Sequence, residues 1–315
     1  MLRSRVCEAI GIRYPVFQGG MAWVSDGRLA AAVSNAGGLG IISAMNADED
    51  YVRGQIELCR QLTDKPFGVN IMMLSPHVEA VAKLVAEEKV PVVTTGAGLP
   101  GKYMPAWIEA GIKVVPVVPS VAIARRVERS GATAVIAEGT ESGGHVGELT
   151  TMALVPQVVD AVKIPVLAAG GIADGRGVAA AFMLGAEGVQ CGTRFLSAYE
   201  CGIHANYKKK VLDARDIDTQ VTGRRLGHPV RALRNPFVNR FAELERDPGV
   251  TDEQLAAFGT GAVRKAAVDG NLQEGSFLAG QIAALVKREQ SAREIVEELA
   301  GECEALLAKA AERIR

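Results

Sequence analysis

The sequence predicts an α/β fold, a TIM (β/α)8 barrel, with a small helical cap domain inserted near its carboxyl end. Eight short apolar, β-branched runs recur along the first 195 of 315 residues, and each fits a strand buried on both faces. Helix-like segments, such as residues 76–89 and 120–131, lie between most of these runs, so the repeating unit is a strand followed by a helix. An open doubly wound sheet is the alternative, but no second set of strands follows the eighth run.

The eight runs are taken as strands one to eight in chain order. Most are bounded by glycine or proline, which end strands and begin turns. They occupy residues 14–20, 38–43, 66–72, 90–96, 112–118, 133–139, 164–171 and 187–195.

The repeat breaks after Tyr199 into polar, Arg-rich sequence, and helical sequence resumes at residues 250–268. We therefore predict a barrel formed by residues 1–199 and 276–315, and a helical cap or substrate domain formed by residues 200–275. The last segment opens with a capping box, Ser291 with Glu294, and should pack back on the barrel. Its apolar face consists of Ile295, Leu299, Cys303, Leu306 and Ala310.

The composition argues against several classes of protein. A net charge of −1 is unlike a surface that binds nucleic acid throughout. The five cysteines lack the spacing of zinc or thioredoxin-like sites, so we expect reduced core thiols and no metal. No run is long enough to span a bilayer and the amino terminus does not resemble a signal peptide, so we expect a cytoplasmic protein.

Two glycine-rich loops follow strands seven and eight, where barrels commonly bind phosphate. Gly170 and Gly171 would let backbone amides approach a phosphate at a helix amino terminus, and Gly192 and Thr193 follow the next strand. Either loop alone could be a tight turn. The two together favour a phosphate-bearing ligand.

The loop after strand six, residues 138–147, sets His145 among four glycines. Because this loop belongs to the same rim as the phosphate loops, His145 is the candidate for proton transfer beside a flat ligand. A solvent-facing loop histidine is the ordinary alternative. His77 and His204 are expected at the surface, and His228 in the cap is a lesser candidate for substrate contact.

Two polar residues end strands at the same rim, and a glycine pair follows the first strand. Asn70 ends strand three and Glu138 ends strand six, so both could hydrogen-bond a cofactor ring or its chain. The carboxylate of Glu138 could also bind a cation. Residues 18–23, QGGMAW, could lie against a ring edge, although a plain strand-to-helix turn is the alternative.

The motifs FQGGMAWVSDG, GGLGIIS, PFGVNIM, VVTTGAG, ESGGHVG, AAGGIADG, QCGTRF and AGQIAALV occur in that order. Together they resemble enoyl-acyl-carrier-protein reductase II nearly from end to end, a family similar to the nitronate monooxygenases, formerly called nitropropane dioxygenases. The resemblance implies FMN, NADH or NADPH as electron donor, and reduction of trans-2-enoyl-acyl-carrier-protein in bacterial fatty-acid synthesis. It also implies a homodimer and an activating monovalent cation.

Carried onto this sequence, the resemblance gives each candidate residue a role. Hydride would pass from flavin N5 to the β-carbon, and His145 would supply the proton. Ser276 and Gln281, which flank the expected helix at LAGQ, would close over the ring. Cys191 stands where the family usually has an aliphatic residue, and a thiol is small and apolar enough to replace it. The expected cofactor neighbours are Gly19, Met21, Ala22, Asn70, Glu138, Gly144, Ala169, Gly170, Gly171, Gln190, Gly192 and Thr193.

The residues leave other functions open. Nitronate oxidation needs the same histidine and flavin in another order. A flavin-free sugar-phosphate lyase or isomerase could use His145 as its base, and a flavin-binding subunit could lack turnover of its own. Nine cations between Lys208 and Arg240 face only three acids, which would suit an acidic carrier protein or a cofactor phosphate as well as a solvated face. These cations are Lys208, Lys209, Lys210, Arg215, Arg224, Arg225, Arg231, Arg234 and Arg240.

Overall fold

Eight parallel strands form the barrel, and each predicted run contains one of them. The computed structural model describes residues 2–45 and 47–313. A short extra strand after the sixth, β7 (Gly144–His145), makes the seventh and eighth barrel strands β8 and β9. The barrel strands are β1 (Val16–Gln18), β2 (Gly40–Ser43), β3 (Phe67–Met72), β4 (Val92–Gly96), β5 (Lys113–Val118), β6 (Val135–Glu138), β8 (Val166–Ala169) and β9 (Gly188–Cys191).

The strand order is β1-β9-β8-β6-β5-β4-β3-β2, and the predicted TIM barrel is confirmed. The seam between β1 and β2 closes through a parallel bridge between Phe17 and Leu39. The fully buried side chain of Gln18 strengthens this seam, since its Oε1 accepts from Ile41 N at 3.1 Å and its Nε2 donates to Ile41 O at 3.3 Å. A side chain thus replaces ladder bonds at the shortest strand pairing.

Helices surround the barrel, and one closes its floor. Val6 and Ile10 of α1 (Arg5–Ile10) pack with Phe17, Ile41 and Ile136 inside the strands. A larger apolar cluster lies between the strands and the outer helices. These helices are α2 (Gly27–Asn35), α3 (Glu49–Leu62), α4 (Val78–Glu87), α5 (Met104–Glu109), α6 (Val121–Arg129), α7 (Thr151–Ala161) and α8 (Gly175–Met183).

Residues 200–275 contain the predicted cap helices and, in addition, two strands that were not predicted. Two antiparallel strands, β10 (Thr219–Thr222) and β11 (Val230–Leu233), form a three-stranded sheet with β7 of the barrel loop. Their short, mostly polar sequences carry little strand signal, and tertiary pairing stabilises them. The cap helices are α9 (Ala205–Leu212), α10 (Pro236–Arg246), α11 (Asp252–Gly259) and α12 (Ala262–Ala267).

The last helix, α13 (Ala292–Ala308), begins with the predicted capping box of Ser291 and Glu294. Ile295, Leu299 and Cys303 are buried as expected, and the helix packs against α8 and α2. The helix expected at LAGQ is instead a 3₁₀ turn over Gln281–Leu285. Among the described residues, no helix is long and apolar enough to cross a membrane.

Two glycines near the contact between α8 and α13 should respond oppositely to alanine. A Cβ on Gly175 would lie 2.2 Å from Glu302 Cβ and 2.7 Å from Cys303 N, whereas a Cβ on Gly301 meets no atom within 4 Å. We expect Gly175→Ala to lower the free energy of unfolding by about 1–3 kcal/mol through overpacking. Gly301→Ala should raise it by about 0.5–1 kcal/mol because alanine favours the helix. Urea unfolding measures both, and a Gly175→Ala variant as stable as wild type would contradict the packing.

Candidate active site

Polar residues line the mouth of the barrel where its strands end. Side chains alternate along a strand, so those two residues beyond the interior Ile136 and Leu167 also point inward. On this basis Asn70, Glu138, Ala169 and Gln190 share the uppermost interior layer; the sequence placed Asn70 and Glu138 at this rim, and the family resemblance added Ala169 and Gln190. Glu138 is paired in register with Ala169, and Ala169 with Gln190. Asn70 is fixed by Thr94, whose Oγ1 donates to Asn70 Oδ1 at 3.0 Å.

The loop after β1 lies directly against this layer. A Cβ on Gly19 would be 3.2 Å from the Gln190 side chain, and one on Gly20 would be 2.3 Å from Asn70 Cβ. A larger residue at Gly20 would displace Asn70, and one at Gly19 would require the Gln190 side chain to shift. Both glycines belong to the QGGMAW stretch predicted to lie against a ring edge. Met21 Sδ would lie 3.5 Å from a Cβ on Gly192, which brings this loop beside the glycine loop after β9.

The loop is also anchored from below. Met21 N donates to Ser25 Oγ at 2.9 Å, and Ser25 Oγ donates to Gly19 O at 3.1 Å. Ala22 follows Met21 and is partly buried. The next residue, Trp23, adopts φ 63°, an uncommon conformation for a bulky residue, with Arg264 of the cap 5.8 Å from its ring centroid.

The two predicted phosphate loops are present, but helix α8 does not offer its amino terminus to a phosphate. Asp174 caps α8 by accepting from Arg176 N at 3.0 Å and Gly177 N at 3.4 Å, so those amides are already bonded. The backbone of Gly170 and Gly171 turns with φ 87° and 75° instead, and the Gly171 amide has no partner among the described residues. A phosphate would therefore meet loop amides.

The second loop starts a 3₁₀ turn over Thr193–Ser197 after Gly192. No side chain caps this turn. The Thr193 oxygen accepts from Gly280 N at 2.8 Å, which leaves the hydroxyl proton able to donate to a ligand. Gly192 and Thr193 thus lie on the loop after the eighth barrel strand, where the sequence predicted them.

The histidine loop is held by the cap. Gly144 pairs in register with Arg231 and His145 with Val230, and Val146 N donates to Pro229 O at 3.0 Å. The Arg231 side chain, buried beneath this pairing, donates from Nη2 to Thr140 O at 3.0 Å. His145 itself is exposed and, within the described chain, its side chain forms no hydrogen bond.

Two further contacts fix the loop from the barrel side. Glu141 accepts from Thr151 N at 2.9 Å and from Thr151 Oγ1 at 3.0 Å, which satisfies the first turn of α7. A Cβ on Gly143 would lie 2.6 Å from the backbone of Ala279. Sequence reasoning missed Glu141 and Arg231, because their partners are distant in sequence or are backbone atoms. A glutamate ten residues before a helix start carries no recognised capping signal.

Ser276 and Gln281 do not flank a helix, but Gln281 lies at the histidine loop. Gln281 N donates to Glu141 O at 2.9 Å, and its side chain is exposed. Ser276 is buried, and its amide donates to Ala262 O of α12 at 2.8 Å. Burial raises the pKa of Cys191 to about 12, so this thiol acts as an apolar residue.

Two groups at the mouth have shifted pKa values. Burial raises the pKa of Glu138 from 4.5 to about 7. The Ser142 hydroxyl lowers this pKa, but by less than burial raises it. The pKa of His145 is lowered, first by partial burial and second by the charge of His228. Glu138 can therefore be neutral near pH 7, and His145 holds its extra proton weakly.

Most of the nine basic residues between Lys208 and Arg240 form ion pairs with acidic residues. The cap therefore has less unpaired positive charge than its sequence suggests. Arg231 is buried, and Lys210 and Arg234 form no ion pair among the described residues. Lys210 Nζ donates to Arg234 O at 2.7 Å. The other six form ion pairs: Lys208 with Glu289, Lys209 with Asp213, Arg215 with Asp218, Arg224 with Glu148, Arg225 with Asp252 and Arg240 with Glu243.

The mouth thus has features that suit a flat, phosphate-bearing cofactor, and the loop after β6 carries His145 beside it. Gly19 and Gly192 leave room where side chains would intrude, the Gly171 amide is free to bind an anion, and Asn70 and Gln190 provide amides for a polar ring edge. This arrangement defines a flavin-type oxidoreductase barrel.

Comparison with known proteins places the chain within that class. The family model of nitronate monooxygenase matches residues 3–88 and 76–302. The chain belongs to the nitronate monooxygenase family, and the resemblance found in the sequence is confirmed.

Similar proteins differ in the reactions for which they are named. FabK from Thermotoga maritima, an enoyl-acyl-carrier-protein reductase II, is 50% identical, with a TM-score of 0.97 over 100% of both chains. Nitroalkane oxidase from Streptomyces ansochromogenes is 30% identical, with a TM-score of 0.86 over 96% of this chain and 99% of that one. (3aS,4S,5R,7aS)-5-hydroxy-7a-methyl-1-oxo-octahydro-1H-indene-4-carboxyl-CoA dehydrogenase from Mycobacterium tuberculosis is 35% identical over 95% of each protein.

The raised pKa of Glu138 predicts a pH-dependent stability. Between pH 4.5 and about 7 the folded chain holds a proton that the unfolded chain has lost, so its free energy of unfolding falls as pH rises. The Gln side chain of Glu138→Gln cannot ionise. The free energy of unfolding of this variant, relative to wild type, should therefore rise by up to about 3 kcal/mol between pH 4.5 and pH 8. Urea unfolding of the flavin-stripped proteins at both pH values measures this. Glu109→Gln, at an exposed position, is the control, and an equal pH dependence in both variants would refute the assignment.

Proposed function

We propose that the protein is an FMN-dependent reductase of trans-2-enoyl thioesters, with NADH as electron donor and acyl-carrier protein as the substrate carrier. The observation that carries this choice is 50% identity to FabK over the whole chain, against 30% for the nitroalkane oxidase. The barrel mouth described above is compatible with it, because His145 lies on the loop that follows Glu138 of the mouth.

The residues proposed to hold FMN fall into two groups. The backbone at Gly170, Gly171, Gly192 and Thr193 would bind its phosphate. Bound FMN would supply hydride transfer, chemistry that no side chain provides. The groups proposed for the ring and its chain are Gly19, Met21, Ala22, Asn70, Glu138, Gly144, Ala169 and Gln190.

His145 is proposed to give a proton to the α-carbon of the substrate after hydride has reached the β-carbon. Its lowered pKa makes the imidazolium a stronger acid, at the cost of a smaller protonated fraction near neutrality. Strand β7 fixes its backbone while its ring stays exposed, so it can meet a substrate that enters between barrel and cap.

Oxidation of nitronates is the second candidate, supported by the family model and by the 30% identical nitroalkane oxidase. It would use His145 to handle a proton beside an electron-withdrawing group. Anaerobic NADH consumption that depends on a trans-2-enoyl thioester supports the reductase. Oxygen consumption with a nitronate, and no enoyl-dependent NADH oxidation, supports the alternative.

The carrier partner is proposed because Lys210 and Arg234 give the cap surface cationic groups outside ion pairs. In the same assay, kcat/KM should be higher for the carrier-bound thioester than for the coenzyme A thioester. This preference should shrink as salt rises, since screening weakens attraction to an acidic carrier.

FMN retention should depend on charge at Gly171. Asp and Asn have nearly the same shape and both tolerate φ 75°, so the difference between Gly171→Asp and Gly171→Asn isolates charge. We expect the Asp variant to bind FMN at least about tenfold more weakly than the Asn variant, through repulsion of the phosphate. Fluorescence titration of the flavin-stripped proteins measures both affinities. Equal affinities would place the phosphate elsewhere.

Replacement of His145 should affect only the step that consumes the enoyl thioester. His145→Ala should keep FMN and accept electrons from NADH normally, while flavin reoxidation by the thioester falls by about 10² to 10⁴. In wild type this reoxidation should slow as pH rises from 5 to 8, because the imidazolium is lost. Stopped-flow absorbance follows both half-reactions. Reoxidation as fast as wild type would exclude His145 as the acid, and loss of reduction by NADH would place it in the nicotinamide site.

A further inference from the structure

His228, which belongs to the cap, lies beside His145. The two ring centroids are 6.5 Å apart and the ring planes meet at 81°. No direct hydrogen bond joins them, and neither side chain bonds to another group of the described chain. Both residues are exposed. Two exposed imidazoles thus lie side by side with no hydrogen-bond partner among the described residues.

The backbone holds this pair in place from both sides. His145 pairs in register with Val230, and Val146 N donates to Pro229 O at 3.0 Å, immediately after His228. His228 N donates to Gly223 O at 3.2 Å across the turn between β10 and β11. A Cβ on Gly223 would lie 2.7 Å from His228 O, so the turn is tightly closed. The spacing of the rings is therefore set by the sheet that joins loop and cap.

The arginines near the pair are already engaged. Arg231 is buried under the β7–β11 pairing and donates to Thr140 O, and Arg224 is neutralised by its ion pair with Glu148, at 2.9 Å. A negative charge beside the rings would therefore be met by the N–H groups of the imidazoles themselves. The rings, 6.5 Å apart at their centroids, form no hydrogen bond with each other, so their nitrogen atoms remain available to a substrate oxygen. A neutral imidazole has one N–H to donate, and a cationic one has two.

We propose that His228 is a second catalytic residue, which donates a hydrogen bond to the thioester carbonyl oxygen of the substrate. The inference rests on the proposed reductase function. When hydride adds to the β-carbon, the carbon–carbon double bond shifts toward the carbonyl and negative charge forms on its oxygen. His228 stabilises that charge, and His145 then delivers a proton to the α-carbon, which restores the carbonyl.

Such a donor acts on the transition state more than on the bound substrate. We expect His228→Ala to lower kcat by about 10² and to change KM by less than about threefold, in an assay with a trans-2-enoyl coenzyme A thioester. His228→Gln, which keeps an N–H donor, should recover part of this loss. Flavin reduction by NADH, followed by stopped-flow absorbance, should match wild type in both variants.

The control is His77→Ala, which removes a histidine at the start of α4 whose side chain does not cap the helix and which has no proposed role in the reaction, so kcat should be unchanged. A His228→Ala variant with wild-type kcat, or with only a raised KM, would overturn the proposal. Equal losses in the Ala and Gln variants together with a lowered melting temperature would overturn it too, as they would show a structural role. Failure of wild type to reduce any enoyl thioester would instead refute the proposed function.

Discussion

The site depends on the pairing of a two-residue strand, Gly144 and His145, with cap strand β11. The loop that contains it is rich in glycine, and glycine loses more conformational freedom on ordering than any other residue. Backbone pairing, the Arg231 contact to Thr140 O and the close approach of Gly143 to Ala279 together oppose that entropy. The cap thus fixes the backbone of His145 itself, while Glu141 and Gly143 hold the same loop from the barrel side.

Much of the barrel could be predicted because its strands are buried on both faces. Continuous Val- and Ile-rich runs bounded by glycine or proline mark such strands, and positions near the carboxyl ends of these runs locate Asn70 and Glu138 at one rim. The capping box at Ser291 was equally readable, since both of its residues are local. Features that depend only on neighbouring residues could therefore be predicted from the sequence.

The rest depends on contacts between distant residues. Strand β10 is paired along one edge by β11 and has mixed polarity, so its pattern resembles a loop. Arg224 meets Glu148, 76 positions away, and a count of charges along the chain cannot reveal that pair. Asp174 caps α8, so the α8 amides expected to bind phosphate are already bonded, although the glycines beside them were correctly located. The position of a residue along its strand could be predicted from the sequence, whereas its hydrogen-bond or ion-pair partner far away in the chain could not.

The division between barrel and cap separates the residues that line the barrel mouth from those that face His145. The glycine loops and the polar layer belong to the barrel strands, so cofactor binding can persist while the cap varies. The turn between β10 and β11 meets the histidine loop directly, through Pro229 and His228. A substitution in that turn would change the side chains beside His145 and would leave the barrel residues unchanged. Selectivity for substrate should therefore vary with the cap turn, and the barrel mouth should vary less.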